Sequence, residues 1–202
     1  TKKETTKSAM PLYEKYIDDN MDTHLNEFVE LVSIPSISSI PSHKPDVEKA
    51  ASWIVNKLKA IGITTAELLP TAGSPMVYGS WDKAPDKPTV LIYAHYDVQP
   101  VKESEWENPP FAPLIKDGKI FGRGASDDKS GVMISMLAVE AMLKTDGKLP
   151  VNVKFLFEGE EEIGSPNFKN FLEKNKELLK TDFAVTADDA QYNDSVPAVT
   201  LS

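Results

Sequence analysis

The chain has 202 residues, 41% apolar and 26% charged, enough apolar material for a sizeable soluble core. Its formal net charge of −9 argues against nucleic acid as a partner, because phosphate binding needs clustered Lys and Arg. Cysteine is absent, which excludes disulfides and thiolate metal sites, and no apolar run approaches the ~18 residues of a membrane helix.

Residues 1–11 read as a mobile N-terminal tail. Thr1 to Lys7 is polar and lacks the apolar core of a signal peptide, so a cytoplasmic location is expected. From Leu12 to Val32, Tyr13, Tyr16, Ile17, Met21, Leu25, Phe28, Val29 and Val32 recur at three- and four-residue steps and predict one amphipathic helix. The Ser- and Pro-rich stretch 33–45 predicts a loop. A second helix is expected from Asp46, which can cap it, with Val47, Ala50, Ile54, Val55, Leu58 and Ile61 inward and Gly62 as its stop.

Three β-type runs follow, at 63–69, 75–81 and 89–94. The last, Thr-Val-Leu-Ile-Tyr-Ala, is apolar in the manner of a central strand covered on both faces. Residues 99–113 form a Pro-rich loop containing Trp106, and 114–121 reads as a hairpin around Asp117-Gly118. A helix is expected over 129–144, a strand over 151–157, a helix over 167–179, a strand over 183–187 and a final apolar run over 198–201. Helices alternating with apolar strands predict an α/β fold, a layered mixed sheet with helices on both faces. Ligands gather beyond the carboxyl ends of strands in such sheets.

Three clusters lie at those ends, and a fourth follows a Gly-rich turn. In His95-Tyr96-Asp97, alternation puts His95 and Asp97 on one side, so one can bind metal while the other orients it. The other two histidines, His24 and His43, read as surface residues. Gly122-Arg123-Gly124-Ala125-Ser126-Asp127-Asp128 runs into a helix. Helix capping by Ser126 or Asp127 competes there with a metal role. Glu160-Glu161-Glu162 ends a buried strand, an awkward place for repelling charges without a cation, and adjacent glutamates can divide metal ligation from general-base work. Asp188-Asp189 repeats the pattern, with a turn aspartate as the plain alternative.

These motifs, with Val98-Gln99-Pro100 after the first cluster and Ile163-Gly164-Ser165 after the third, resemble the co-catalytic zinc peptidase family. That family includes cytosolic nonspecific dipeptidase, carnosinase, aminoacylase and carboxypeptidase G. The resemblance implies metal-dependent hydrolysis of dipeptides or related amide bonds, with two Zn²⁺ ions, or Mn²⁺ or Co²⁺ in their place. It implies His95 and Asp188 on one metal, Asp127 bridging, Glu162 on the second metal, Asp97 orienting His95 and Glu161 as general base. The third glutamate leaves Glu160 as an alternative base. A cis Asp127–Asp128 peptide is implied as well.

Members of that family are about twice as long. The resemblance therefore places residues 12–202 in the N-terminal part of a catalytic domain, with a lid or dimerisation domain, a further histidine ligand and oxyanion-binding groups outside it. The expected partners are a small peptide and, through the further domain, a second copy. The competing expectation is a non-catalytic unit that folds and binds at most one metal.

Overall fold

In a computed structural model of the chain, the described residues are 10–189, 193, 196 and 198. The expected tail falls outside them except for Met10 and Pro11, and so does the run 198–201 except for Ala198.

The single helix expected over 12–32 is two helices, α1 (Leu12–Asp19) and α2 (Met21–Val32). The break is at Asn20, whose side-chain amide donates to Tyr16 O at 2.8 Å. Asn competes in this way with the helical backbone pattern. The same device ends α5 (Phe168–Lys174) five residues before the expected end at 179, because Asn175 Nδ2 bonds Phe171 O at 2.8 Å. α3 (Lys44–Ile61) starts two residues before the expected Asp46, because Pro45 fits the first turn, where its missing N–H costs nothing. Asp46 instead meets His43 Nδ1 at 2.8 Å from within that turn. Gly62 does end α3, at φ +101°, and Ile63 is absorbed into that cap by its N–H bond to Leu58 O. β1 therefore begins at Thr65 rather than Ile63.

The main sheet has the order β1 (Thr65–Leu69), β2 (Met76–Trp81), β6 (Asn152–Glu158), β3 (Thr89–His95), β7 (Phe183–Thr186). β1–β2 and β2–β6 are antiparallel; β6–β3 and β3–β7 are parallel. β4 (Leu114–Lys116) and β5 (Lys119–Phe121) form the separate hairpin expected around Asp117-Gly118. α3 and α4 (Lys129–Asp146) cover one face, where Ile54, Leu58, Val132 and Met136 meet Val77, Ala94, Phe155 and Phe157. α5 covers the other, with Phe171 against Met76 and Leu156. The fold is thus the expected mixed sheet with helices on both faces.

One surface expectation is corrected. His24 is buried, because the break at Asn20 folds α1 onto α4 and sets the Tyr16 ring 6.0 Å from the imidazole. His43 is half-buried. Among the described residues, no helix is long and apolar enough to cross a membrane.

Candidate metal centre

Parallel pairing of β3 with β6 places His95 directly opposite Glu158, so the clusters that follow both strands share one end of the sheet. β7 lies on the other side of β3, in register from Val90 to Tyr93, and delivers Asp188 to the same end. The fourth cluster enters from the loop before α4.

His95 has no exposed surface. Its Nε2 lies 3.0 Å from Asp127 Oδ1, 3.8 Å from Asp188 Oδ2 and 3.9 Å from Glu161 Oε2. Ligand atoms of His95, Asp127 and Asp188 all fall within 4.8 Å of one another. On the other side of the ring, Nδ1 faces Asp97 O at 3.1 Å and Asp97 Oδ1 at 3.3 Å. Burial opposes protonation of this ring. The hydrogen bond that the ring donates to Asp97 and the charges of Asp97, Asp128 and Asp188 outweigh it and raise the pKa to about 10. The carboxylates around His95 therefore favour positive charge at this point.

The two aspartates before α4 divide. Asp127 points at His95 and caps nothing, whereas Asp128 is buried and accepts the His95 N–H at 3.1 Å. Its other oxygen lies against Gly131, where a Cβ would overlap it. Burial pushes the Asp128 carboxyl up to about 7. The peptide between the two aspartates is cis, as the resemblance implies.

The three glutamates divide too. Glu160 turns away and is buried, accepting from Ser74 N at 3.0 Å and Asn167 Nδ2 at 2.7 Å. Glu161 faces His95, and burial raises its pKa, with Asp188, Glu162 and Asp97 adding to the effect and His95 opposing it. Glu162 Oε2 accepts from Gln99 Nε2 at 2.8 Å, while its Oε1 is buried without a hydrogen-bond partner. Glu162 is not in the close group around His95.

This donor set fits divalent cations. One imidazole and two carboxylates converge, the surroundings favour positive charge, and Glu162 offers an unpaired acceptor. His95, Asp127 and Asp188 could hold one ion, and Glu162 could contribute to a second. An open cleft of about 720 Å³, lined by Trp106, Leu114, Phe121 and Ser126 among others, reaches the residue before Asp127.

Sequence reasoning missed four polar residues here. Ser38 donates to Asp97 Oδ2 at 2.6 Å from a segment read only as loop. Tyr93 and Ser165 both donate to the buried Glu158, at 2.8 and 3.1 Å, which ties the start of the acidic loop to its end. A charged residue directly after the apolar Phe155-Leu156-Phe157 was the available signal for Glu158; nothing in the sequence marked Ser38.

A sheet of this order, with imidazole and carboxylates gathered at its strand ends, has the architecture of a metallopeptidase catalytic domain. The model of peptidase family M20/M25/M40 matches residues 91–197, and the chain belongs to that family. It is 31% identical to a Cys-Gly metallodipeptidase of Candida albicans over 97% of this chain and 44% of that protein. It is 31% identical to the human Beta-Ala-His dipeptidase over 92% of this chain and 40% of that protein. An M20 family metallo-carboxypeptidase of Sulfolobus solfataricus superposes with a TM-score of 0.78 at 39% identity, covering 85% of this chain and 38% of that one. The chain thus spans less than half the length of these relatives.

Proposed function

We propose that the intact protein hydrolyses dipeptides or related amide bonds in a metal-dependent reaction. The observation that carries this reading is the convergence of Asp127, Asp188 and Glu161 on the Nε2 side of His95. The names of the relatives agree with it, since two are dipeptidases.

In this reading His95 and Asp188 would hold one Zn²⁺, Glu162 would hold the second and Asp127 would be shared between them, with Mn²⁺ or Co²⁺ as replacements. Bound there, two such ions would lower the pKa of a water and polarise the scissile carbonyl. Asp97 fixes the ring by accepting from Nδ1, which leaves Nε2 for the ligand role. Glu161 is the general base: its raised pKa suits a carboxylate that takes a proton from water and returns it to the leaving amine. Glu160 is left to structural bonds. A lid or dimerisation domain beyond this chain supplies the remaining histidine and the oxyanion donors. The same reading has a small peptide as substrate, a homodimer formed through that domain, and a cytoplasmic location.

The test is elemental analysis of the intact protein, run with a dipeptide hydrolysis assay on the same sample. About two equivalents of metal with turnover supports the reading. Loaded protein that cleaves neither dipeptides nor N-acyl amino acids, or full activity in His95→Ala, overturns it.

A further inference from the structure

Asp97 is fully buried, and its carboxylate is surrounded by donors. Oδ1 receives Glu161 N at 3.2 Å and faces His95 Nδ1 at 3.3 Å. Oδ2 receives Glu162 N at 3.1 Å and Ser38 Oγ at 2.6 Å. Two of these donors belong to one turn, the backbone of Glu161 and Glu162. A carboxylate held by that turn alone would follow it, because the terminal torsion of an Asp side chain is broad. The Ser38 hydroxyl approaches from a different segment and is the shortest of the contacts.

That segment is itself fixed. Ser36 Oγ donates to Tyr96 O at 2.6 Å, Val98 N donates to Ser36 O at 3.0 Å, and Ile37 forms a parallel bridge with Val98. The fully buried Lys129 donates to Ile34 O at 2.6 Å and to Leu31 O at 3.1 Å. Lys129 opens α4 two residues after Asp127. A cation in the first turn of a helix opposes the helix dipole, so its position is not explained by the stability of α4. It is explained by the carbonyls it reaches at the end of α2. Residues 34–38 therefore bind both the loop that carries Asp127 and the segment that carries His95 and Asp97.

We infer that Ser38 is a positioning residue for the metal centre. Its hydroxyl fixes the rotation of the Asp97 carboxylate, which in turn sets the His95 ring and the Glu161–Glu162 turn. The inference rests on the ligand role proposed for His95, and its test is separable from hydrolysis.

The experiment compares Ser38→Ala with the unaltered 202-residue chain. Zn²⁺ affinity is measured by calorimetry. The His95 Nδ1–H resonance is followed by ¹H–¹⁵N NMR in the metal-free chain. Partners behind a ligating histidine change metal affinity by about 10- to 100-fold, and one step further out the expected loss is about tenfold. The Nδ1–H resonance is expected to shift or to vanish by exchange with water. Ser38→Thr, which keeps the hydroxyl, restores both readouts; Ser39→Ala, at an exposed neighbour, changes neither. Equal thermal midpoints establish that the fold is retained. Unaltered affinity, or a tenfold loss with an unchanged Nδ1–H resonance, overturns the inference. If the unaltered chain binds no Zn²⁺, the ligand reading fails, and the Nδ1–H comparison alone decides the role of Ser38.

Discussion

Asp97 Oδ1 lies 3.3 Å from His95 Nδ1 while the same carboxylate accepts the backbone N–H groups of Glu161 and Glu162. One buried residue thus meets an imidazole, through its carbonyl and its carboxylate, and the turn that carries the acidic pair. Asp97→Asn keeps the size but puts an amide donor where an acceptor is needed. Its affinity for Zn²⁺ is expected to fall about 10- to 100-fold, read by calorimetry on the chain itself.

Glu160 and Glu161 are expected to separate activity from stability. Glu161→Gln in the intact protein is expected to lower kcat by about 10²- to 10⁴-fold with metal content unchanged, as the loss of a general base does. Glu160→Ala strands the Ser74 N–H and the Asn167 amide, and is expected to cost about 1–3 kcal/mol in denaturant unfolding. Kinetics and unfolding measured on both variants decide the assignment; the opposite pattern would move the base to Glu160.

Gly159 passes over the Tyr96 ring so closely that a Cβ would overlap the phenol. Tyr96 is fully buried and its hydroxyl donates to Pro75 O, so the ring has nowhere to retreat. Gly159→Ala is therefore expected to destabilise the fold by about 1–3 kcal/mol, measured as a lower midpoint in urea.

Lys129 gives a pH signature. Burial lowers its pKa from 10.5 to about 7. Below pH 7 the lysine is protonated both folded and unfolded, and the full penalty of the buried charge is present. Between pH 7 and about 10.5 the unfolded chain holds the proton more than the native one, so stability from this group rises with pH. Lys129→Met removes the titration. The difference in unfolding free energy, unaltered chain minus Lys129→Met, is expected to climb from pH 7 to pH 10. A flat difference in urea melts across that range would refute it.

Much of the site was legible because its residues are consecutive and chemically unusual. His95, Asp127 and Asp188 sit at the ends of apolar runs or after paired glycines, where strand and turn patterns point. The mixed sheet was legible for the same reason: β3 is a nearly unbroken apolar run, β6 carries Val153, Phe155, Leu156 and Phe157, and α3 and α4 carry helical periodicity. The helix breaks were not. Asn20 and Asn175 interrupt patterns that remain apolar on both sides, and what stops each helix is a side-chain bond to a carbonyl four residues earlier.

By itself, the sequence determined which side chains could bind a cation, the class of fold that carries them and the family to which both point, since these rest on residue type and local spacing. Only the tertiary structure decided which glutamate faces His95, which aspartate turns inward, and that Ser38 reaches Asp97 from 59 residues away in the chain. Those choices depend on the direction of a side chain at a strand end and on contacts between distant segments. No local pattern encodes either, because both are set by how β3, β6 and β7 pair and by where the 34–38 segment is pinned between Lys129 and Val98.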